Sequence, residues 1–178
     1  MTFTDAETTH LRSQPLGRLA TVSDDDQPDV VPVGFDFDGT YFYISGYGDT
    51  LRTKRVRNVL AGHEKVALVV DDLASTDPWT PRFLRVYGTA DIVERDGYAG
   101  RKAYLRITPT VSWSWNLAGR PYAGEGGRDQ FETRVTRTGS AGCRSGDNGV
   151  VRAAIRRIIH RSVTRATRAV DSRLSGCT

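Results

Sequence analysis

The chain has 178 residues, 38% of them apolar and 26% charged, which is enough for one folded domain with an additional segment. It contains no run of about 18 apolar residues, and its first ten residues lack the basic and apolar regions of a secretory signal, so we expect a cytoplasmic protein without a membrane-spanning helix. The net charge of +4 is unevenly distributed. The tail (residues 134–178) holds ten Arg and two Asp, a net charge of +8, so the rest of the chain has a net charge of −4. The negative charge of the domain argues against nucleic-acid binding by it.

The first part of the chain predicts one helix and three strands. A polar helix is expected over 4–13, and alternating residues predict a first strand over 18–23. A second strand is expected over 29–37, after a turn rich in Asp. The Asp38-Gly39 pair then predicts a hairpin into a third strand over 40–45.

The middle of the chain predicts a second helix and three further strands. Apolar residues at helical spacing predict a helix over 50–61, and Gly62 stands where a C-terminal cap is favoured. An apolar strand is expected over 65–71, and alternating strands are expected over 83–93 and 111–117. The segments between these strands are predicted to be a loop over 74–81, which carries Trp79, and a short helix over 97–104.

Six strands with a helix after the third indicate a mainly β fold, and in so short a domain a small closed or half-closed barrel, which protects strand edges. We place this domain at residues 1–120. The Arg/Gly/Ser-rich segment 121–178 is predicted to be a disordered linker, followed by a possible basic helix over 150–170. Cys143 and Cys177 both lie in that segment, so the domain itself has no disulfide or thiolate metal site.

The segment 45–58, SGYGDTLRTKRVRN, is the most informative about function. It runs from a strand through a glycine-containing loop into a helix that begins with Arg52, Thr53 and Lys54. Cations in the first turn of a helix oppose the macrodipole, at a cost of about 0.3–1 kcal/mol each. The arrangement becomes favourable if backbone N–H groups, the Thr53 hydroxyl and the basic side chains bind an anion such as phosphate. The alternative is a solvated basic helix face with Lys54 and Arg57 merely exposed.

The remaining polar and aromatic residues do not form a catalytic set. Pro32 lies inside the second strand, where its missing N–H indicates an edge strand or a bulge. Trp113 and Trp115 alternate on one strand face, a pattern more often found in a core than against a cofactor, and Trp79 is a candidate pocket lid. The isolated histidines give no metal site. Since no nucleophile pattern is present, we assign no catalytic residue and expect the reagent to be a bound cofactor.

Four segments, taken together, resemble a known family. They are LGRLATV (16–22), DVVPVGFDFDGTYFYIS (29–45), TLRTKRVRN (50–58) and VALVVDD (66–72). They resemble the pyridoxamine 5′-phosphate oxidase-like split-barrel superfamily and, within it, the flavin/deazaflavin oxidoreductases that use coenzyme F420. The resemblance ends after about residue 120, where the Arg-rich tail is either a lineage-specific extension or the product of a reading-frame slip.

The resemblance implies a six-stranded split barrel of the FMN-binding type that forms a homodimer, with the cofactor in a groove at the dimer interface. The cofactor phosphate would meet the basic segment, the ring would lie along the second strand, and Trp113 and Trp115 could close the pocket or the dimer seam. The cofactor-binding residues implied are Val31, Pro32, Val33, Ser45, Arg52, Thr53, Lys54, Arg57 and Asn58.

The function implied by the resemblance is that of an oxidoreductase in which reduced F420 delivers hydride to a small conjugated or heteroaromatic substrate. One alternative is an FMN-dependent enzyme like pyridoxamine 5′-phosphate oxidase. Another is a non-catalytic flavin-binding protein whose basic tail is an interaction surface. In each case we expect a homodimer with a small-molecule ligand, and neither a membrane nor a nucleic acid as partner.

Overall fold

The computed structural model describes residues 2–46, 48–121 and 133–138. Within these ranges the chain forms two α-helices, one 3-10 turn and eight strands of a single antiparallel sheet. The helices are α1 (Asp5–Ser13) and α2 (Lys54–Leu60), with the 3-10 turn at Thr50–Arg52. The strands are β1 (Gly17–Val22), β2 (Pro28–Val33), β3 (Phe35–Phe37), β4 (Phe42–Ile44), β5 (Lys65–Thr76), β6 (Trp79–Gly97), β7 (Gly100–Trp115) and β8 (Thr133–Arg137).

The two end strands of the sheet are consecutive in the chain. The strand order is β2-β1-β5-β6-β7-β4-β3, with β8 paired to β7, so β2 and β3 stand at opposite ends of the order. Only Gly34 separates them in the chain, and the two ends of the sheet therefore come together as a split barrel. The barrel prediction is confirmed. The predicted second strand over 29–37 is in fact β2 and β3, divided at Gly34.

The interior of the barrel is apolar. Leu19, Leu68, Leu84 and Leu105 have 0% exposed surface and come from four neighbouring strands, β1, β5, β6 and β7. Each belongs to a strand in which buried and more exposed residues alternate. Full burial of one such side chain contributes about 1.5–3 kcal/mol, so this layer is a main source of stability.

Helix α1 is anchored to the sheet by a buried carboxylate. A capping box fixes its start, because the Thr4 hydroxyl accepts the Glu7 N–H at 3.2 Å and the Glu7 carboxylate accepts the Thr4 N–H at 2.8 Å. Glu7 is 1% exposed and also accepts a hydrogen bond from the Ser114 hydroxyl of β7 at 2.8 Å. The predicted helix over 4–13 is confirmed, and the hydrogen bond to β7 holds it in place.

That contact reverses the predicted orientation of β7. The serine face of the strand points inward, with Ser114 only 5% exposed, because α1 supplies a partner for the hydroxyl. The expectation that Trp113 and Trp115 fill the core is therefore wrong. They are half-buried on the opposite face, where Trp115 stacks on Phe83 with ring centroids 5.8 Å apart, and Trp113 meets the edge of Tyr87 at 4.7 Å.

Two connections are tighter than the sequence predicts. The expected loop over 74–81 is the turn of the β5–β6 hairpin. The expected helix over 97–104 is wrong, since β6 and β7 join there in a hairpin in which Gly97 pairs with Gly100. A φ of +79° at Gly100 suits a tight turn that side chains other than glycine disfavour. The two strands form a long ribbon that ends at this turn.

Strand β8 lies in the segment predicted to be a linker. It pairs with the second half of β7, with Trp115 opposite Thr133 and Val111 opposite Arg137, so the linker prediction is wrong for Thr133–Arg137. The predicted basic helix over 150–170 and both cysteines lie outside the described residues, and the domain boundary near residue 120 stays a prediction. In the described part of the chain, no helix is both long and apolar enough to span a membrane.

Candidate cofactor site

The predicted helix over 50–61 is divided into a 3-10 turn and α2. The 3-10 turn follows Asp49, whose carboxylate accepts the Leu51 N–H at 3.0 Å. The backbone is extended at Thr53 (φ −71°, ψ 146°), and the Thr53 hydroxyl donates to the Thr50 carbonyl at 2.7 Å. Because this hydroxyl binds the preceding turn, it makes no side-chain cap at the start of α2.

The start of α2 carries basic side chains and no acid in its first turn. Arg52, Lys54 and Arg57 are all exposed. The Lys54 ammonium lies 3.5 Å from the Asp29 carboxylate of β2, with 46% of the lysine side chain exposed. The structure thus brings the predicted phosphate residues Arg52, Thr53 and Lys54 to one end of α2, and Arg57 follows within the helix. Asp29, which the sequence analysis did not single out, competes for one of these cations.

Arg55 is a further cation that our predicted set omitted. One of its terminal nitrogens donates to the Ser45 carbonyl at 3.2 Å, while its Nε is buried with no hydrogen-bond partner. Burial lowers the pKa of Arg55 from its usual value. The basic run in the sequence contained a signal for this residue, but the side chain points at the end of β4 and not at solvent.

Ser45 and Asn58 are buried, and their side chains support the elements that form the site. The Ser45 hydroxyl lies 3.1 Å from the Thr50 hydroxyl, and Ser45 is 8% exposed. The Asn58 amide donates to the Thr21 hydroxyl of β1 at 2.9 Å, and Asn58 is 6% exposed. Both side chains hold α2 and the preceding turn in place, and direct contact with a cofactor stays a prediction for each.

Strand β2 presents the residues predicted to lie along the cofactor ring. Pro32 is exposed, Val31 is half-buried and Val33 is 4% exposed. Among the described strands β2 pairs with β1 alone, in a register without shift that sets Pro32 opposite Arg18. The edge-strand interpretation of Pro32 is therefore confirmed, and the bulge alternative finds no support in this pairing. The Asp29–Lys54 ion pair places β2 beside the basic end of α2.

The β6–β7 hairpin supplies two side chains, Tyr98 and Lys102, whose contacts the sequence did not indicate. The Tyr98 hydroxyl accepts the Ser45 N–H at 2.9 Å and donates to the Gly34 carbonyl at 3.1 Å. The Lys102 ammonium donates to the carbonyls of Gly46 and Gly48, at 3.1 and 2.7 Å. A helix was expected here, so nothing in the sequence could have placed these side chains beside the end of β4.

Other residues considered in the sequence lie in structural contacts. His10 is buried with its Nε2 3.1 Å from the Val70 carbonyl, and His63 pairs with Asp24 at 3.0 Å. Across the described ranges, no group of three or more His, Cys, Asp or Glu residues could hold a metal ion. Trp79 is 54% exposed at the start of β6, and its role as a pocket lid stays a prediction.

Solved structures share the fold at low sequence identity. A conserved hypothetical protein, Rv2991 from Mycobacterium tuberculosis, is 21% identical, with a TM-score of 0.53 over 72% of this chain and 96% of that one. A structure described as an F420 reductase is 27% identical and covers 57% of this chain and 92% of that one, with a TM-score of 0.45. The first likeness supports the fold alone, and the second is too weak for inference.

Sequence comparison gives a stronger result. The chain is 37% identical over 134 residues to a 5a,11a-dehydrotetracycline/5a,11a-dehydrooxytetracycline reductase of Streptomyces rimosus subsp. rimosus, covering 72% of this chain and 94% of that protein. The family model described as pyridoxamine 5′-phosphate oxidase matches residues 3–136, which include every strand described above except the last residue of β8. On the fold, the arrangement of the site and these matches, the chain belongs to the pyridoxamine 5′-phosphate oxidase family.

Proposed function

We propose that this protein is a reductase in which reduced coenzyme F420 delivers hydride to a conjugated double bond of a small cyclic substrate. The observation that carries the proposal is the 37% identity to a dehydrotetracycline reductase along nearly the whole length of that protein. The name of that relative denotes a substrate with a ring double bond that is reduced. A substrate of the same chemical class, conjugated and rich in oxygen, is therefore the one we propose here.

The residues at the start of α2 fit the anionic tail of such a cofactor. The first turn contains cations and no acid, an arrangement that is unfavourable for the helix unless an anion is present. Arg52, Lys54 and Arg57 would hold the phosphate, and Thr53 would join them by turning its hydroxyl from the Thr50 carbonyl to the phosphate. A Cβ atom on Gly46 would lie 3.1 Å from a terminal nitrogen of Arg55, so a larger side chain at this position would press on the guanidinium. Glycine at position 46 thus leaves room for the Arg55 side chain.

Strand β2 fits the flat ring of a flavin or deazaflavin. An edge strand leaves one side free for a ligand, and Pro32 there lacks an N–H that would otherwise need a partner. Val31 and Pro32 offer partly exposed apolar surface, and Ser45 lies at the end of β4. When bound, the cofactor would supply the hydride, and the residues of this chain bind and orient it. No side chain is assigned as a catalytic group.

A second candidate is an FMN-dependent enzyme like pyridoxamine 5′-phosphate oxidase, which the matching family model favours by its description. FMN also has a phosphate tail, so the same basic residues would hold it, but reduced FMN reacts with oxygen whereas a deazaflavin transfers hydride. A non-catalytic flavin-binding protein with a basic interaction tail is the remaining alternative, and that tail lies outside the described residues from residue 139 onward. The homodimer, the small-molecule substrate and the cytoplasmic location stay predictions.

The experiment that tests the proposal is a titration of the purified protein with F420 and, separately, with FMN, followed by tryptophan fluorescence. We expect F420 to bind more tightly than FMN. Loss of the Lys54 charge in Lys54→Ala should weaken binding by about tenfold or more, since hydrogen bonds to charged groups contribute about 1.5–3 kcal/mol. Arg12→Ala, which removes an exposed cation from α1, is the matched control and should bind as the wild type does.

The outcomes separate the candidates. Preferential binding of FMN, with oxygen consumed when the flavin is reduced, would replace the F420 proposal by the oxidase-like alternative. If neither cofactor binds, both enzymatic candidates are refuted. If F420 binds and reduced F420 is oxidised on addition of a dehydrotetracycline, the proposed reaction class is supported, and equal binding to Lys54→Ala would show that the phosphate lies elsewhere.

A further inference from the structure

Two side chains of the β6–β7 hairpin hold the backbone that leads from β4 into the basic segment. We call Tyr98 and Lys102 the hairpin clamp. Tyr98 satisfies the Ser45 N–H and links it to the Gly34 carbonyl, at 2.9 and 3.1 Å. Lys102 is bound to the Gly46 carbonyl at 3.1 Å and to a second carbonyl two residues further on at 2.7 Å. The Tyr98 hydroxyl also lies 3.5 Å from the Ser45 carbonyl, so the hairpin tip is joined to segments distant in sequence by several hydrogen bonds.

The hairpin tip is itself rigidly held, so the clamp is preorganised. Tyr104, with 0% exposed surface, accepts the Ala99 N–H at 2.8 Å and donates to the Gly100 carbonyl at 3.0 Å. Its ring meets the Tyr98 ring edge to face, with centroids 5.7 Å apart. A Cβ atom on Gly97 would lie 3.0 Å from the Tyr104 ring, so the turn packs closely on this tyrosine. Burial also raises the pKa of Tyr98, which keeps its hydroxyl available as a donor.

The same backbone also touches the basic segment. Arg55 donates to the Ser45 carbonyl at 3.2 Å. The position of a Cβ on Gly46 lies 3.1 Å from Arg55 and 3.4 Å from the Thr53 methyl group. The Ser45–Gly46 backbone is thus in contact both with the hairpin clamp and with the residues that begin α2. A displacement of this backbone would also displace the Thr53 and Arg55 side chains, since they are in contact with it.

We propose that Tyr98 and Lys102 are positioning residues for the anion site at the start of α2, and that Lys102 adds a fixed positive charge to it. This inference rests on the proposed function, in which a cofactor phosphate binds there. The Lys102 ammonium makes charge-assisted hydrogen bonds to backbone carbonyls, which are the strong kind. It thereby orders the glycine-containing connection between β4 and the 3-10 turn, to which Arg55 is hydrogen-bonded. Tyr98 contributes by satisfying the Ser45 N–H, which would otherwise be an unpaired buried donor.

The test compares cofactor affinity among four variants by the same fluorescence titration. Lys102→Met keeps the length of the side chain but removes its charge and donors, and should weaken F420 binding by about tenfold. Lys102→Arg should restore binding to within about threefold, because a guanidinium can also donate to two carbonyls. Tyr98→Phe, which removes every hydrogen bond of the Tyr98 hydroxyl, should weaken binding by about tenfold. Arg101→Met removes an exposed charge from the same hairpin and is the control for net charge.

Amide hydrogen exchange provides a readout that does not need the cofactor. In Tyr98→Phe, exchange at Ser45 should become faster, while amides in the paired strands β6 and β7 keep their protection. Faster exchange at Ser45 with weaker F420 binding supports the proposal. Faster exchange with unchanged binding overturns it, as does equal binding by the wild type and Lys102→Met.

The failure of this inference is distinguishable from that of the proposed function. A wild-type protein that binds neither F420 nor FMN refutes the proposed function and this inference with it. A wild-type protein that binds F420, with variants of the hairpin clamp that bind it equally well, refutes this inference alone. Weakening by Arg101→Met as large as that by Lys102→Met would also overturn it, because long-range charge would then explain the effect.

Discussion

The ion pair between Lys54 and Asp29 leads to a prediction of tighter binding. The Lys54 ammonium lies 3.5 Å from the Asp29 carboxylate. A phosphate at the start of α2 has to compete with this carboxylate for the lysine and is repelled by its charge. Replacement of Asp29 with Asn removes the competitor and keeps the size of the side chain. The Asp29→Asn protein should therefore bind F420 more tightly than the wild type.

The size of the effect follows from the exposure of the pair. Two unit charges at the observed 3.5 Å attract each other by about 1 kcal/mol in bulk water, and by about 5 kcal/mol at an effective dielectric constant of 20. Since 46% of the Lys54 side chain and 27% of the Asp29 side chain are exposed, the range of about 0.2–1 kcal/mol measured for exposed pairs applies. With 1.4 kcal/mol for each factor of ten, affinity should rise by about 1.5- to 5-fold.

The assay is the F420 titration at low ionic strength and again at about 0.5 M salt, where screening should reduce the difference between variant and wild type. Asp26→Asn is the matched control, because it removes an exposed carboxylate from the β1–β2 turn at a position where Asn tolerates the observed φ of +60°. Unchanged or weaker binding by Asp29→Asn would refute the reasoning. A gain of the same size in Asp26→Asn would show that net charge, not the ion pair, is responsible.

Two further predictions concern stability. Ser114→Ala removes the donor that lies 2.8 Å from the buried Glu7 carboxylate, and should lower the free energy of unfolding in urea by about 1–3 kcal/mol; an unchanged value would contradict the anchoring of α1. Hydrogen bonds from Arg82 lower the pKa of Asp72 below its usual 3.8. The contribution of this ion pair to the free energy of unfolding is therefore complete above pH 3.8 and is lost as the pH falls through the pKa of Asp72 in the folded protein. Thermal unfolding should accordingly show Asp72→Asn less stable than the wild type near pH 7 and equally stable in strong acid, and a difference independent of pH would count against this account.

The sequence predicted the barrel because its strands alternate with a period of two residues. That alternation placed Leu84 in the interior, where it is fully buried. It was misleading in β7, where the apolar face of the strand carries Trp113 and the inward face carries Ser114. A serine is acceptable inside only because a carboxylate from α1 reaches it, and that contact joins residues more than 100 positions apart. Periodicity within one strand contains no information about such a partner.

The candidate site was predicted in part, for a similar reason. The basic run that begins α2 is local in sequence and visible without a structure. The contacts of Asp29, Tyr98 and Lys102 depend on the pairing of distant strands, and the hairpin that carries Tyr98 and Lys102 was predicted to be a helix. The resemblance implied that Asn58 contacts the cofactor; its amide donates to the Thr21 hydroxyl at 2.9 Å, and the cofactor contact stays a prediction.

Among the described strands β2 is paired on one side only, which has a consequence for the behaviour of the protein in concentrated solution. An unpaired strand edge is a template for another chain, and Val30, 64% exposed, adds apolar surface to it. If the proposed cofactor binds along this edge, a permanent helix or loop cannot cover it. The strand carries its own protection instead, since Pro32 cannot donate to a neighbouring strand and Asp29 places a charge on the same edge. The residue proposed to lie along the cofactor ring thus also discourages edge-to-edge aggregation.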